Sequence, residues 1–255
     1  MHVGLARAII TPDHPIWMTG FAARTAPSEG VCSDIEASAI VLDNGDLRVA
    51  ILAIDLVGVD EFLLDPIREH ARGIGIAPEA MLINCSHTHC APACRVVRGS
   101  CRRFDDEYLE GLKARLCGLL DEAVADLRES TLDHTSGFCT LGINRRRVGP
   151  DGVSQMAPNA LKPVDIDVPV LRVLVPDGAV RALAFSYACH PTTMGGQLIG
   201  PDFPGPARQY VAEHIEGCLP IFWQGCGGDV KPRNIGDNGR FASGPLEMVG
   251  EIGHE

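Results

Sequence analysis

The sequence predicts a single α/β domain with a mixed β-sheet flanked by helices and a functional site at the carboxyl ends of the strands. Three observations predict it. Apolar runs of strand length alternate with stretches whose apolar residues recur at helical spacing. The 28 Gly and 18 Pro are scattered through all 255 residues as punctuation between short elements. Val49-Ala50-Ile51-Leu52-Ala53-Ile54 is apolar throughout, the pattern of a strand buried on both faces.

In chain order, Val3 to Ile9 reads as a strand ended by Thr11-Pro12, and a glycine-bearing loop from Thr19 to Gly30 leads to the strand Ala37 to Leu42. Asp43-Asn44-Gly45-Asp46 has hairpin-turn composition and feeds the Val49 run, which stops at Asp55. Phe62, Leu63, Ile67 and Ala71 fit one helix face closed by Gly73, and the strand Met81 to Cys85 completes a strand–helix–strand unit. Asp105 to Arg128 reads as an amphipathic helix through Tyr108, Leu112, Leu116, Leu119 and Val124, with an acidic start that suits the helix dipole. Thr131 to Ile143, Val168 to Val175 and Val180 to Tyr187 read as strands, the last two joined by Pro176-Asp177-Gly178. A helix from Gly205 to Glu216 and a strand from Pro220 to Trp223 follow. Pro245 to Gly253 begins a helical pattern without a stop signal, so residues 1–255 are expected to be one domain truncated at its C-terminus.

Composition excludes several classes. Against 33 Asp and Glu stand 22 Lys and Arg, a net charge of −11, and no basic cluster is longer than Arg145-Arg146-Arg147, which argues against a nucleic-acid surface. No apolar run approaches the roughly 18–20 residues of a membrane-spanning helix. The N-terminus lacks the features of a signal peptide, so a cytoplasmic location is expected. The 10 Cys include no CxxC pair, and Cys85, Cys90, Cys94 and Cys101 match no zinc-finger spacing; they read mostly as buried thiols.

Polar residues of chemical use stand where apolar runs end: Asp55, the pair His87 and His89, His190, and the segment Gly225-Cys226-Gly227-Gly228-Asp229. In an extended segment, residues i and i+2 point the same way about 6.5–7 Å apart. Only a turning loop, as Pro92 suggests, brings both imidazoles of Ser86-His87-Thr88-His89 to one metal, or gives one to metal and one to substrate. His190-Pro191-Thr192-Thr193-Met194 adds a third imidazole, and three histidines on two strand ends suit zinc. His2, His14, His70, His134, His214 and His254 read as surface residues in loops or on helix faces. Asp229 is the stronger carboxylate candidate, Asp202 the weaker, and Asp165 and Asp167 read as turn contacts leading into a strand.

Ser86-His87-Thr88-His89-Cys90-Ala91-Pro92 resembles the SHTHSGP segment of the neutral and alkaline non-lysosomal ceramidases, and Gly142-Ile143-Asn144-Arg145 resembles their INR segment. Phe185 to Met194 is similar to their apolar strand running into a histidine, and Gln224 to Pro232 stands where they have a segment ending GDVSPN. Ile10-Thr11-Pro12, Met18-Thr19-Gly20-Phe21 and the Gly30 to Ala39 segment are similar to the family's opening. The resemblance implies a zinc-dependent hydrolase of N-acyl amides using metal-activated water. It implies His87 and His190 as zinc ligands, and His89 and Arg145 as groups next to the water or substrate oxygen. Asp229 joins them as a catalytic candidate, with Asn144 and Lys231 as substrate-binding candidates. Two departures limit it: Lys231 replaces the family's serine nucleophile, with Arg233 in place of its asparagine, and the chain ends before the family's glutamate and tyrosine zinc ligands.

The substrate expected is a small-molecule or lipid amide. With 5% aromatic residues and no membrane-targeting signal, a small soluble amide or ester stands as an alternative to ceramide itself. Two rival readings remain, a catalytically inactive binding or sensing domain and a cysteine enzyme using Cys90 or Cys226 beside His89. Oligomeric state is not legible.

Overall fold

The computed structural model describes residues 1–96, 103–244 and 246–254; Cys101, Pro245 and Glu255, which enter the readings above, lie outside the described residues. Strand β1 (His2–Ile9) is followed by β2 (Gly30–Val31), β3 (Glu36–Asp43), β4 (Arg48–Ile54), helix α1 (Glu61–Gly73) and β5 (Met81–Cys85). Helix α2 (Asp106–Ala125) leads to β6 (Arg128–Glu129), β7 (Thr131–Phe138), β8 (Gly142–Val148), β9 (Ser154–Asn159), β10 (Asp167–Leu174) and β11 (Val180–Tyr187). Then come β12 (Leu198–Ile199), α3 (Pro204–His214), β13 (Leu219–Gln224), β14 (Val230–Pro232) and α4 (Leu246–His254).

The α/β class holds, with two large mixed sheets where one was expected. The first has the order β5-β4-β3-β1-β6 and the second β13-β11-β10-β7; a three-stranded unit, β14-β8-β9, and a pair, β12-β2, complete the pairing. In each large sheet one pair is parallel, β4 with β5 and β11 with β13, and the others are antiparallel.

Strand periodicity explains the layering, because successive side chains point to opposite faces. Ala37, Ala39 and Val41 of β3 and Ala50, Leu52 and Ile54 of β4 face α1 and α2, meeting Leu63, Ile67, Leu112, Leu116 and Leu119 in one buried cluster. The alternate residues Ile40 and Ala53 join Val3 and face the second sheet, where Val173, Ala182, Ala184 and Ile221 meet them. The second sheet's other face carries Phe185, Tyr187 and Phe222, packed with Phe203 and Ile252 of the α3 and α4 region. The result is a helix–sheet–sheet–helix sandwich, and it explains why the Val49 run is apolar on both faces: one face meets helices and the other meets a sheet.

Several boundaries differ from the sequence reading. The expected strand Thr131 to Ile143 is two strands in different sheets, broken where the Tyr187 hydroxyl accepts the Gly142 N–H at 2.9 Å and donates to the Cys139 carbonyl at 3.2 Å. The second helix stops at Ala125 rather than Arg128, because Asp126 turns back to accept the Leu5 N–H and Arg128–Glu129 pairs with β1. Strands β9 and β14 were not expected at all. His2 and His134 are exposed, as expected of surface residues, but both lie on strands. Among the described residues no helix is long and apolar enough to cross a membrane.

Candidate metal centre

The parallel pairs bring the carboxyl ends of β4 and β5 to the same edge as those of β11 and β13. Asn84, one residue before the end of β5, ties the two sheets there. Its Oδ1 accepts the Gln224 N–H at 2.8 Å and its Nδ2 donates to the Gln224 carbonyl at 3.1 Å. Gln224 Nε2 in turn donates to the Cys189 carbonyl at 3.1 Å. The residue before His190 is thereby fastened to the strand that precedes the Gly225 segment.

Beyond these ends the chain bends sharply enough to gather three imidazoles. His87 adopts φ +67°, a conformation uncommon for a residue with a side chain, and its N–H donates to the Leu56 carbonyl at 2.9 Å. The rings of His87 and His190 lie 4.5 Å apart between centroids, His87 and His89 5.2 Å, and His89 and His190 5.1 Å. One ligand nitrogen from each lies within 4.8 Å of the others. His87 Nδ1 is 2.7 Å from the Val57 carbonyl and His190 Nδ1 is 3.2 Å from the Gly227 carbonyl. A carbonyl only accepts, so in both rings Nδ1 carries the proton and Nε2 keeps a lone pair for a metal, the arrangement common in metal-ligating histidines.

His89 differs. Its Nδ1 is buried without a hydrogen-bond partner among the described residues, and its ring packs edge-on against Phe21 at 4.9 Å. Gly20 lies against it: a Cβ there would stand 2.5 Å from His89 Cγ. Arg24 fixes the backbone by donating to the carbonyls of His89, Thr19 and Gly196. All three rings are held neutral. Burial lowers the His87 pKa, and burial followed by repulsion from His190 carries His89 down to about 2. Burial followed by repulsion from Arg145 takes His190 to about 3. Neutral nitrogen donors with one orphaned buried atom fit a borderline divalent ion such as zinc.

The histidines open onto a cavity of about 390 Å³ that is also lined by Arg145, Arg95, Gly20, Val57 and Val96. Arg145 is 8% exposed; its N–H donates to the Asp229 carbonyl at 2.7 Å, while Nε and Nη2 donate to the Gly228 carbonyl at 3.1 and 2.9 Å. Burial lowers its pKa, with Arg146 adding to that and Asp229 opposing it. A register shift between β8 and β9 falls at Arg145, a feature common beside functional sites.

Asn144 and Asp229 sit behind this arginine, outside the cavity lining. Asn144 donates to Asp229 Oδ2 at 2.9 Å and accepts the Arg146 N–H at 2.9 Å. The pair brace the backbone on either side of Arg145. Lys231 also lies off the lining: its Nζ stands 5.1 Å over the Phe241 ring, and burial lowers its pKa with help from Arg145. Asp202, at φ +59°, accepts the N–H groups of Thr193, Met194 and Phe203 and so braces the loop after His190.

Other candidates lie elsewhere. Asp55 is 1% exposed and bound by both terminal nitrogens of Arg208, at 3.0 and 2.5 Å, a lock between β4 and α3. Asp165 accepts the Asp167 N–H in a turn at the start of β10. Burial pushes the Cys90 thiol up to about 12, so it is no thiolate at neutral pH, and Cys226 is exposed and off the cavity lining. The sequence reading missed Arg95, Gly20, Arg24 and the Asn84–Gln224 tie. Gly20 and Asn84 stand next to motif residues; Arg95 left no signal.

No protein-family model and no curated protein matches the chain. Among solved structures the fold is similar to that of neutral ceramidase from Pseudomonas aeruginosa, with a TM-score of 0.80 at 19% identity. It is also similar to that of a ceramidase complexed with C2, with a TM-score of 0.81 at 18% identity. Each match covers 99% of this chain and 42% of the other, so the chain spans less than half the length of the proteins it matches. At such identity the likeness is one of fold.

Proposed function

We propose that residues 1–255 form a metal-dependent hydrolase domain acting on an amide bond, with zinc held by His87 and His190. The observation that carries the reading is the pair of Nδ1–carbonyl contacts, which leave the Nε2 lone pair free on two neutral imidazoles whose rings lie 4.5 Å apart. Bound there, zinc would supply a Lewis acid and would make water a competent nucleophile near neutral pH.

The chain's own groups account for the rest. His89 lines the cavity beside the other two imidazoles and is the group placed to relay a proton from the attacking water to the departing nitrogen. Arg145, anchored through Nε and Nη2, keeps Nη1 as a charged donor for the carbonyl oxygen on which negative charge develops. Lys231 stands in the place of a serine and off the cavity lining, so no covalent acyl step on that residue belongs to the mechanism. The fold shared with proteins named ceramidase supports an amide as the scissile group, whereas two guanidiniums in the cavity lining support a substrate with a polar or anionic group over a two-chain lipid.

The test is metal analysis of protein purified without added zinc. About one zinc per chain is expected for the wild type, with loss in His87→Ala and His190→Ala and retention in His89→Ala. Hydrolysis of N-acyl amides should fall in all three variants. Full zinc retention by both ligand variants would overturn the assignment. The serine-to-lysine change favours one second reading, a metal-binding domain without turnover. Zinc retained with no hydrolysis across a panel of amides decides for that reading.

A further inference from the structure

The mechanism uses one cation, Arg145, yet the histidine cavity has a second. Arg95 lines the same space, its side chain laid over Gly58: a Cβ on Gly58 would stand 2.9 Å from Arg95 Cδ and 3.1 Å from Nη1. The glycine leaves room that the guanidinium occupies. Asp60 forms an ion pair with Arg95, its Oδ1 3.6 Å from Nε and beyond hydrogen-bond length, and its other oxygen is taken by the Val96 N–H at 2.8 Å. Among the described residues nothing accepts a hydrogen bond from this guanidinium, and no carboxylate lines the cavity. Two cations therefore face neutral imidazoles in a space whose apolar side chains are Val57 and Val96. Two guanidiniums with no carboxylate in the lining suit an anionic group on the molecule that binds there.

We propose that the substrate is a small amide carrying a carboxylate, of the N-acyl amino acid type, and that Arg95 is the residue that selects it. The planar fork of a guanidinium matches a carboxylate in two parallel hydrogen bonds. Arg145 remains with the carbonyl undergoing attack, and Arg95 takes the group that does not react. The inference rests on the amide-hydrolase reading above, but its test does not depend on turnover.

The experiment is calorimetric titration of the protein as purified, its metal content measured in the same sample, with N-acetylglycine and with its neutral counterpart N-acetylglycinamide. The carboxylate should bind at least about tenfold more tightly, ~1.4 kcal/mol. Arg95→Gln should collapse that ratio toward one, while Arg72→Gln, on the exposed end of α1, should leave it intact. Equal affinity in the wild type overturns the proposal, as does a ratio that survives Arg95→Gln, which would mean that the carboxylate binds the metal instead. If Arg95→Gln does not fold, the wild-type ratio and its decline with added salt decide, a salt-insensitive ratio counting against an exposed guanidinium. A preserved ratio with no hydrolysis across a panel of amides would sink the hydrolase reading and leave Arg95 as the residue that selects a carboxylate ligand.

Discussion

Gly20→Ala tests whether His89 works by position. The backbone at residue 20 has φ +108°, where a side chain is strained by about 1–3 kcal/mol whatever surrounds it. The added methyl would also stand 2.5 Å from His89 Cγ, 2.7 Å from its Cβ and 2.8 Å from its Nδ1. Carbon atoms settle near 3.5 Å, so the ring must retreat by about 1 Å. Phe21 confines it at 4.9 Å and the other imidazoles at 5.2 and 5.1 Å, so the displacement passes into the cavity. A catalytic group misplaced by about 1 Å loses roughly 100-fold in rate. His87 and His190 are anchored independently, so zinc should stay. The assay is kcat on an N-acyl amide with a chromogenic amine, read beside zinc content and the denaturant midpoint. A variant with full kcat, or one that loses zinc while folded, would refute the reasoning.

Two further expectations concern the scaffold. Asp55→Ala leaves the buried Arg208 only the longer contact with Glu36, at 3.6 Å, and should cost about 3 kcal/mol in denaturant unfolding, whereas Asp55→Val with Arg208→Met should recover most of it. A double variant no more stable than Asp55→Ala would show that the pair does more than balance charge. Asp105 caps α2 by accepting the Tyr108 N–H at 2.9 Å and also meets His14, and both contacts hold its carboxyl below the ordinary 3.8, the backbone bond more strongly. A depressed carboxylate stabilises above its unfolded pKa and stops doing so as pH falls through the folded value. Asp105→Ala should therefore cost about 1 kcal/mol near pH 7, and the gap to wild type should close at acid pH below 3.8. A gap that stays constant down to pH 2 would remove the carboxylate from the explanation.

The elements that were legible are those whose burial is set by one periodic pattern. β1, β3, β4, β5 and β11 carry unbroken or alternating apolar residues and were placed within a residue or two. β8, β9 and β14 were not legible as they stand, because they form a small sheet whose outer residues, among them Arg146, Arg147, Gln155 and Met156, are exposed and follow no apolar alternation. The strand Thr131 to Ile143 read as continuous because nothing local marks Cys139 to Leu141 as a break. The break is made by Tyr187, a hydroxyl 45 residues beyond Gly142. Asp55 misled for the same reason. A carboxylate at a strand end has the same local signature whether it serves a site or locks a helix, and its partner Arg208 lies 153 residues away.

The site itself divides along that line. The histidines were legible because each closes an apolar run and because a turn at Pro92 or Pro191 directs the chain out of the strand. What fixes their chemistry was not legible, since it is done by backbone carbonyls: Val57 for His87, Gly227 for His190 and Gly228 for Arg145. A carbonyl has no side-chain identity, so its role cannot be read from a residue type. Its position here depends on the sheets being in register at one edge, which is the work of Asn84 and Gln224. Val57 follows the first sheet, while Gly227 and Gly228 follow the second. A shift of one sheet against the other would therefore move His87 away from His190 and Arg145 together. The geometry that makes the His87 and His190 rings neighbours is thus a property of the sandwich rather than of either motif.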